Sequence, residues 1–458
     1  MKKVFKTIVI SSVFCICGLT VQAEDLFSTL QYTYQNSPQL EASRAFLRSV
    51  DERVAQAKAG WRPTVGVEAN AAYMDQKYKD YPGTKDDSYG NDMYDAGVSL
   101  SQSVFAGFRT TSSVDYAQTI VREQREGLRT TEQSVLLSAA ISFVDLIRDK
   151  AVLELRKNQE VVLNRHLESY KKRFKVGDLT KTDVAQSEAR LAGAKANRID
   201  AEGNLKVSKA AYRSVVGKSA PETMKIDNLE KLLPDSLTTA LKTMENDNPT
   251  LLSARYSEEA AGYNITLQRS ALLPSVDVSA GAGLQWGQPL PTIKDDYDGE
   301  YWRVGAKLSL PLYQGGSEYS KVREAKQLEN QARIYVEQVR RDLIKATTQA
   351  WEQYQTTKAS IVSIKSQIKA SKMALDGVIR EAEVGARTVL DVLDAEQEHL
   401  NNQVNLVTAE RNMTIAELQL LAAMGKMTVA GLNLQVEPYN PEVYYREVAD
   451  KWIGTSIE

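Results

Sequence analysis

Few side chains in this sequence are spaced to do chemistry. His166 and His399 lie on different helical stretches among polar neighbours. A metal site needs several converging ligands, so both read as solvated surface groups. Gly281-Ala282-Gly283 lies within a strand pattern and lacks the spacing and following helix of a dinucleotide loop. No Ser/His/Asp set or other catalytic constellation emerges, and the expectation is a protein that is not an enzyme and uses no cofactor or metal. Two short stretches stand out instead, Val176-Gly177-Asp178-Leu179-Thr180-Lys181-Thr182-Asp183-Val184 and Val384-Gly385-Ala386-Arg387-Thr388-Val389-Leu390-Asp391-Val392-Leu393-Asp394. Both begin V-G-x-x-T-x-x-D-V. Glycine can adopt positive φ and end a helix, and threonine with an acidic residue three positions on can cap the next one. Each stretch is therefore a helix-turn-helix tip. The two tips differ in charge: Arg387 has Leu179 as its counterpart, and Asp394 has Gln186.

The match extends far beyond the tips. Gly385 follows Gly177 by 208 residues, as Gly425 follows Gly217 and Gly315 follows Gly107, while Pro274 follows Pro63 and Pro249 follows Pro38 by 211. The chain is two tandem copies of one unit, with a small indel between Pro63 and Gly107. The expected organisation is a first repeat over 24–217, a linker over 218–237, a second repeat over 238–425 and a tail over 426–458. Linker and tail are expected to form an equatorial belt, rich in irregular positions such as Pro221, Pro234, Pro438 and Pro441.

Each repeat starts with a helical stretch, stopped in the first by Trp61-Arg62-Pro63. Alternation then takes over. Val65, Val67, Ala69, Ala71 and Tyr73 share one face of a strand over 64–73, and Tyr94, Ala96, Val98, Leu100 and Val104 share one face of a return strand over 94–105. In the second repeat the strands are expected over 275–286 and 301–312, with Val276, Val278, Ala280, Ala282, Leu284 and Trp286 opposed by Trp302, Val304, Ala306, Leu308 and Leu310. Strands of about ten residues, apolar on one face and polar on the other, are what an outer-membrane barrel requires. Residues 74–93 and 287–300 read as loops. Phe108 to Lys175 and Ser317 to Glu383 carry no internal proline and would each extend roughly 100 Å as helices. Their narrow apolar stripes suit lateral packing in a bundle.

Residues 1–23 have the form of a secretory signal peptide, with Lys2, Lys3 and Lys6 before an apolar core and Val21-Gln22-Ala23 at the cleavage site. Cys15 and Cys17, the only cysteines, fall inside it. No later run is apolar enough for a membrane-spanning helix. With 57 basic and 59 acidic residues and no basic, aromatic-rich stretch, the composition argues against nucleic acid as a partner.

On the tips, on Leu312-Tyr313-Gln314-Gly315-Gly316 after the fourth strand and on the repeat, the mature chain resembles the TolC family of outer-membrane export ducts. The resemblance implies an α+β fold: a homotrimer whose four strands per protomer form one 12-stranded outer-membrane β-barrel, continued by a long periplasmic α-helical barrel. It implies passive conduction for type I secretion or multidrug efflux. The partners would be outer-membrane lipid, a periplasmic adaptor (membrane fusion) protein, an inner-membrane ABC or proton-driven pump, and an exported protein or small molecule as cargo. Family roles carry over to Thr182, Asp183 and Arg387 as a gate, to Asp391 and Asp394 as acidic, cation-selective rings at the entrance, and to Val176, Gly177, Leu179, Thr180, Val384, Gly385 and Thr388 as adaptor-docking tips. The sequence departs from the family at Ala382, where a gate tyrosine is usual. A secreted, elongated coiled-coil adhesin or scaffold with hairpin heads is the alternative reading.

Overall fold

The computed structural model describes residues 24–77, 88–226, 228–287 and 297–457. The signal-peptide segment and the centres of the two expected loops lie outside these. In chain order come β1 (Glu24–Asp25), α1 (Leu26–Asn36), α2 (Pro38–Lys58), β2 (Thr64–Lys77), β3 (Ser88–Ala106), α3 (Arg109–Lys175) and α4 (Lys181–Val216). There follow β4 (Met224–Lys225), α5 (Leu237–Asp247), α6 (Pro249–Arg269), β5 (Ser275–Gly287), β6 (Tyr297–Ser309), α7 (Ser317–Glu383), α8 (Val389–Ala423) and α9 (Glu442–Val448). The repeat is visible in matched lengths: α2 and α6 have 21 residues each, and α3 and α7 have 67 each.

The helical stretch ahead of each strand pair is broken at the repeated proline. Pro38 and Pro249 each occupy the first helical turn, where a missing N–H costs nothing. Ser37 and Asn248 precede them and cap, their side chains accepting from the Leu40 and Thr250 amides.

The chain packs as two compact units. One gathers residues 24–33, Ala139–Leu229 and Gln367–Arg411, and so contains both tips. Within it β1 pairs in parallel with β4, and Lys218 forms an ion pair with Glu24. The other gathers Tyr34–Ser138, Glu230–Ser366 and Asn412–Glu458, and contains the sheet.

The sheet is antiparallel, in the order β2-β3-β5-β6. Its register aligns the middle apolar rows across all four strands. Val67 pairs with Val98, Val98 with Ala282 and Ala282 with Trp302, and the next row runs Val65, Leu100, Ala280, Val304. The opposite face carries Ser101, Ser279 and Gly305 in one row. Because side chains alternate, a slip of one residue would turn every apolar group to the polar side. The apolar face is fully displayed in the single chain, with Val67 and Trp302 each 81% exposed. Tyr94 and Trp286 stack there with ring centres 5.9 Å apart. On the polar face Gly97 and Gly283 are directly opposed, and a Cβ on either would lie 2.8 Å from the Tyr301 hydroxyl. Glycine there makes room for the tyrosine that crosses both strands.

Strand ends differ from the sequence expectation. The first two strands run to Lys77 and from Ser88, because backbone pairing continues to Lys77–Ser88 after the apolar alternation has stopped. The fourth strand covers 297–309 rather than 301–312. Its early start again follows ladder pairing, and it ends ahead of Pro311, which has no N–H to donate. A bulge between Ser103 and Phe105 leaves Val104 out of the β3–β5 ladder.

The segment after α8 does not stay at one level. The Val429 amide donates to Glu132 at 2.7 Å, and the Tyr439 amide donates to the Tyr34 hydroxyl at 2.9 Å. Further on, Arg125 pairs with Glu442 and the Tyr444 hydroxyl donates to Glu52 at 2.8 Å. Lys58 then pairs with Asp450 at 2.7 Å, and Arg62 donates to the Lys451 carbonyl at 2.7 Å. The tail expected in the belt thus climbs along α2 to the foot of β2. Beneath it, Val50, Val54, Ala117, Val121 and Ala449 form a core. Asp51 sits here at 1% exposure with no hydrogen-bond partner for either carboxylate oxygen among the described residues.

Two outcomes are expected. If the apolar rows face hydrocarbon, Ala280→Arg should impair assembly by about 2 to 4 kcal/mol, whereas Ser279→Arg on the opposite face should be tolerated. Comparing folded protein recovered from membranes for the two variants checks this, and equal tolerance would reject the assignment. The second concerns Asp51, whose carboxyl burial pushes up to about 6, with Arg125 opposing the shift. A carboxyl raised in the folded state favours folding below its unfolded value and loses that contribution as pH rises through about 6. At neutral pH the penalty is up to about 3 kcal/mol. Asp51→Asn should therefore raise the melting temperature at neutral pH and change it little in acid; a drop at neutral pH would show that the ionised carboxylate is needed.

Candidate functional site: the two helical tips

Both turns are built the same way from their backbones. At the end of α3 the Gly177 amide donates to the Phe174 carbonyl and the Asp178 amide to the Arg173 carbonyl, each at 3.0 Å. After α7 the Gly385 amide donates to Ala382 at 3.2 Å and the Ala386 amide to Glu381 at 2.8 Å. These bonds satisfy the last carbonyls of each helix and require the left-handed backbone that Gly177 (φ 82°) and Gly385 (φ 78°) supply. Space is not the reason for glycine, since a Cβ at either position would meet nothing within 4 Å.

The following helices start with matched reciprocal caps. The Asp183 amide donates to the Thr180 hydroxyl oxygen at 3.2 Å, and the Thr180 amide donates back to Asp183 Oδ2 at 2.9 Å. In the second tip the Asp391 amide and Thr388 hydroxyl, and the Thr388 amide and Asp391 Oδ2, repeat those distances of 3.2 and 2.9 Å. The Thr388 bonds hold the Asp391 carboxyl below the usual carboxylate range. Asp183 and Asp391 are thus both capping carboxylates.

Charge separates the tips. Arg387 Nε donates to Glu381 Oε2 at 2.9 Å within its own turn, which raises the guanidinium pKa further. In the first tip the equivalent support is Arg173 on Asp178, at 2.6 Å. Within this chain, therefore, Arg387 is brought to Glu381 and not to Thr182 or Asp183. Asp394 forms an ion pair with Arg190 of α4, both side chains remaining exposed. Spacing along the sequence offers no partner for Asp394, and Arg190 is that partner.

The tips share one apolar core. Leu163, Leu167 and Tyr170 of α3, Leu191 and Ala194 of α4, and Val389 and Leu393 of α8 are buried together, with Leu179 and Val184 packed against them. His166 Nε2 lies 2.7 Å from Glu396, which raises its pKa. The histidine expected as a solvated group is instead half-buried at a helix contact. His399, likewise expected at the surface, has its Nδ1 3.0 Å from the Ser371 hydroxyl.

At the turns themselves apolar side chains stay in solvent. Val176 is 80% and Val384 81% exposed, and Phe174 joins them. Phe174 carries no signal in the tip motif itself. It is the repeat counterpart of Ala382, 208 positions earlier, so the aromatic missing from the second tip is present in the first. Subtracting the repeat interval from Ala382 finds it. Among the described residues no group of His, Cys, Asp and Glu is arranged to hold a metal ion.

Likeness to known proteins fits this geometry. The family described as "Outer membrane efflux protein" matches residues 29–218 and 240–426, one segment in each repeat. The outer membrane efflux protein BepC of Brucella suis is 35% identical, over 99% of this chain and 96% of that one. The outer membrane protein TolC of Escherichia coli is 26% identical, over 93% of this chain and 87% of that one. Among solved structures, the outer membrane protein VceC of Vibrio cholerae superposes with a TM-score of 0.75 at 22% identity, covering 87% of this chain and 96% of that one. The fold is accordingly that of a TolC-like channel, with strands for a membrane β-barrel and long helices for a periplasmic helical barrel. The secreted adhesin receives no support from these likenesses. The chain belongs to the outer membrane efflux protein family, channel proteins of the outer membrane that extend into the periplasm.

Proposed function

We propose that three copies of this chain close one 12-stranded barrel and serve as a passive exit duct for type I secretion or drug efflux. The observation that carries the reading is the open sheet. Its outer strands β2 and β6 run antiparallel to each other, so β6 of one copy can continue the ladder onto β2 of the next. Four strands are too few to close alone, since the smallest membrane barrels have about eight. Energy comes from elsewhere: an inner-membrane ABC or proton-driven pump, joined through a periplasmic adaptor that docks on the tips. Their exposed Phe174, Val176 and Val384 are apolar anchors suited to such a partner. Cargo is an exported protein or a small molecule.

In this reading the tips gate the duct. Arg387 exchanges its own Glu381 for Thr182 and Asp183 of the neighbouring tip when the entrance is closed. Asp391 and Asp394, three residues apart on α8, repeat around the axis as two rings of like charge that select for cations. Arg190 tempers the outer ring by pairing with Asp394.

Planar-bilayer recording checks both parts. Arg387→Ser is expected to raise single-channel conductance. Replacing Asp391 and Asp394 by asparagine together should weaken cation selectivity and block by multivalent cations. Wild-type conductance in the first variant and unchanged selectivity in the second would leave these residues as caps and surface charge.

A further inference from the structure

The segment beyond α9 ends its climb at the junction of helix and strand. Arg62, two residues before β2, donates to the Lys451 carbonyl at 2.7 Å, and its guanidinium lies 4.7 Å from the centre of the Trp452 ring. Beyond that pin the chain folds back on itself: Lys451 Nζ donates to the Ser456 carbonyl at 2.8 Å, and Gly454 takes a φ of 114°. The turn so closed, Trp-Ile-Gly-Thr-Ser-Ile over 452–457, contains no charged residue. It displays Trp452 at 67%, Ile453 at 90% and Ile457 at 82% exposure. Folding gains nothing from leaving such side chains in water.

The turn sits level with the feet of the strands, at the residue pair that leads into β2. On α2, Glu52 and Lys58 hold the tail, and Ala57 packs with Tyr445 and Ala449 in the core beneath it. The tail therefore ends beside the last turn of α2, where the chain enters β2. At the same junction Trp61 before β2, Phe108 after β3 and Leu312 and Tyr313 after β6 are all exposed. Aromatic residues at this depth match the belts that flank a bilayer's hydrocarbon.

We propose that Trp452–Ile457 is an interfacial lipid anchor. It lays Trp452, Ile453 and Ile457 into the headgroup–acyl boundary of the periplasmic leaflet, extending the barrel's lipid contact below the strands. Arg62 supplies a cation at the depth of the lipid phosphates, and the indole of Trp452 spans the polar and apolar layers, as tryptophan does at membrane interfaces. Phospholipid is favoured over a protein occupant because residues 452–457 are uncharged and lie level with the exposed aromatic residues at the strand feet. The inference rests on the outer-membrane location and not on the trimer or the gate.

Sequence beyond residue 23 contains no cysteine, so single-cysteine variants of the chain from residue 24 onward report individual positions. Ile453→Cys and Ile457→Cys, carrying an environment-sensitive fluorophore, are reconstituted in phosphatidylethanolamine–phosphatidylglycerol vesicles containing a phospholipid with a nitroxide just below its headgroup. Val67→Cys on the apolar strand face and Val207→Cys on exposed α4 are the references. Labels at 453 and 457 should shift to the blue, lose intensity to the spin-labelled lipid as the label at 67 does, and resist iodide. Emission that stays unshifted and iodide-quenched, as at 207, would overturn the proposal. So would a blue shift without loss to the spin-labelled lipid, which would mean that protein, such as a neighbouring copy, covers the turn.

Discussion

Backbone N–H and C=O groups cannot remain unpaired in hydrocarbon, and the four-stranded sheet of this chain has two open edges. Everything else in the fold is arranged around that constraint. A strand spanning a bilayer must satisfy its polar groups through neighbours, and only closure removes the last edges. One face of the sheet is apolar across all four strands while the other is polar, with Tyr301 lying over Gly97 and Gly283. A soluble protein would bury that apolar face, and here it is left uncovered.

The helices answer a different demand. α3 and α7 run 67 residues each without a proline, so backbone pairing is continuous along them. Where they end, the turn must satisfy the last carbonyls of one helix and the first amides of the next within a few residues. Glycine with positive φ and the Thr/Asp box achieve this twice with matching geometry. Keeping the turns alike leaves charge free to vary, and Arg387, Glu381 and Asp394 with their partners help set the two tips apart. Function can then diverge between tips without disturbing their shape.

Polar burial is concentrated away from the sheet. Asp51 is enclosed under the tail, and Glu417 is likewise buried, its carboxyl pushed up to about 7 by desolvation and the nearby Glu230. Each favours its neutral form more than a solvated carboxylate would, because burial penalises charge. The segments expected to form a belt are where chains cross helices, and that crossing encloses polar groups that a plain bundle would leave in water.

Much of this was legible in sequence because the signals are local. The repeat, the strand alternation, the proline breaks and the capping boxes each act within a few positions, and a period of two or a Thr-x-x-Asp spacing needs no tertiary context. The register of the sheet follows from alternation once one face is apolar. Tertiary structure alone decided which charges meet. Asp394 reaches Arg190 across 204 residues of chain, and His166 reaches Glu396 across 230. Strand ends at Lys77 and Ser88 depend on ladder hydrogen bonds that carry no side-chain signature. The path of the tail along α2 rests on scattered contacts from Tyr34 to Arg62, none of them implied by spacing. Short-range backbone chemistry is written in the order of residues, whereas pairing between distant side chains depends on how the helices pack.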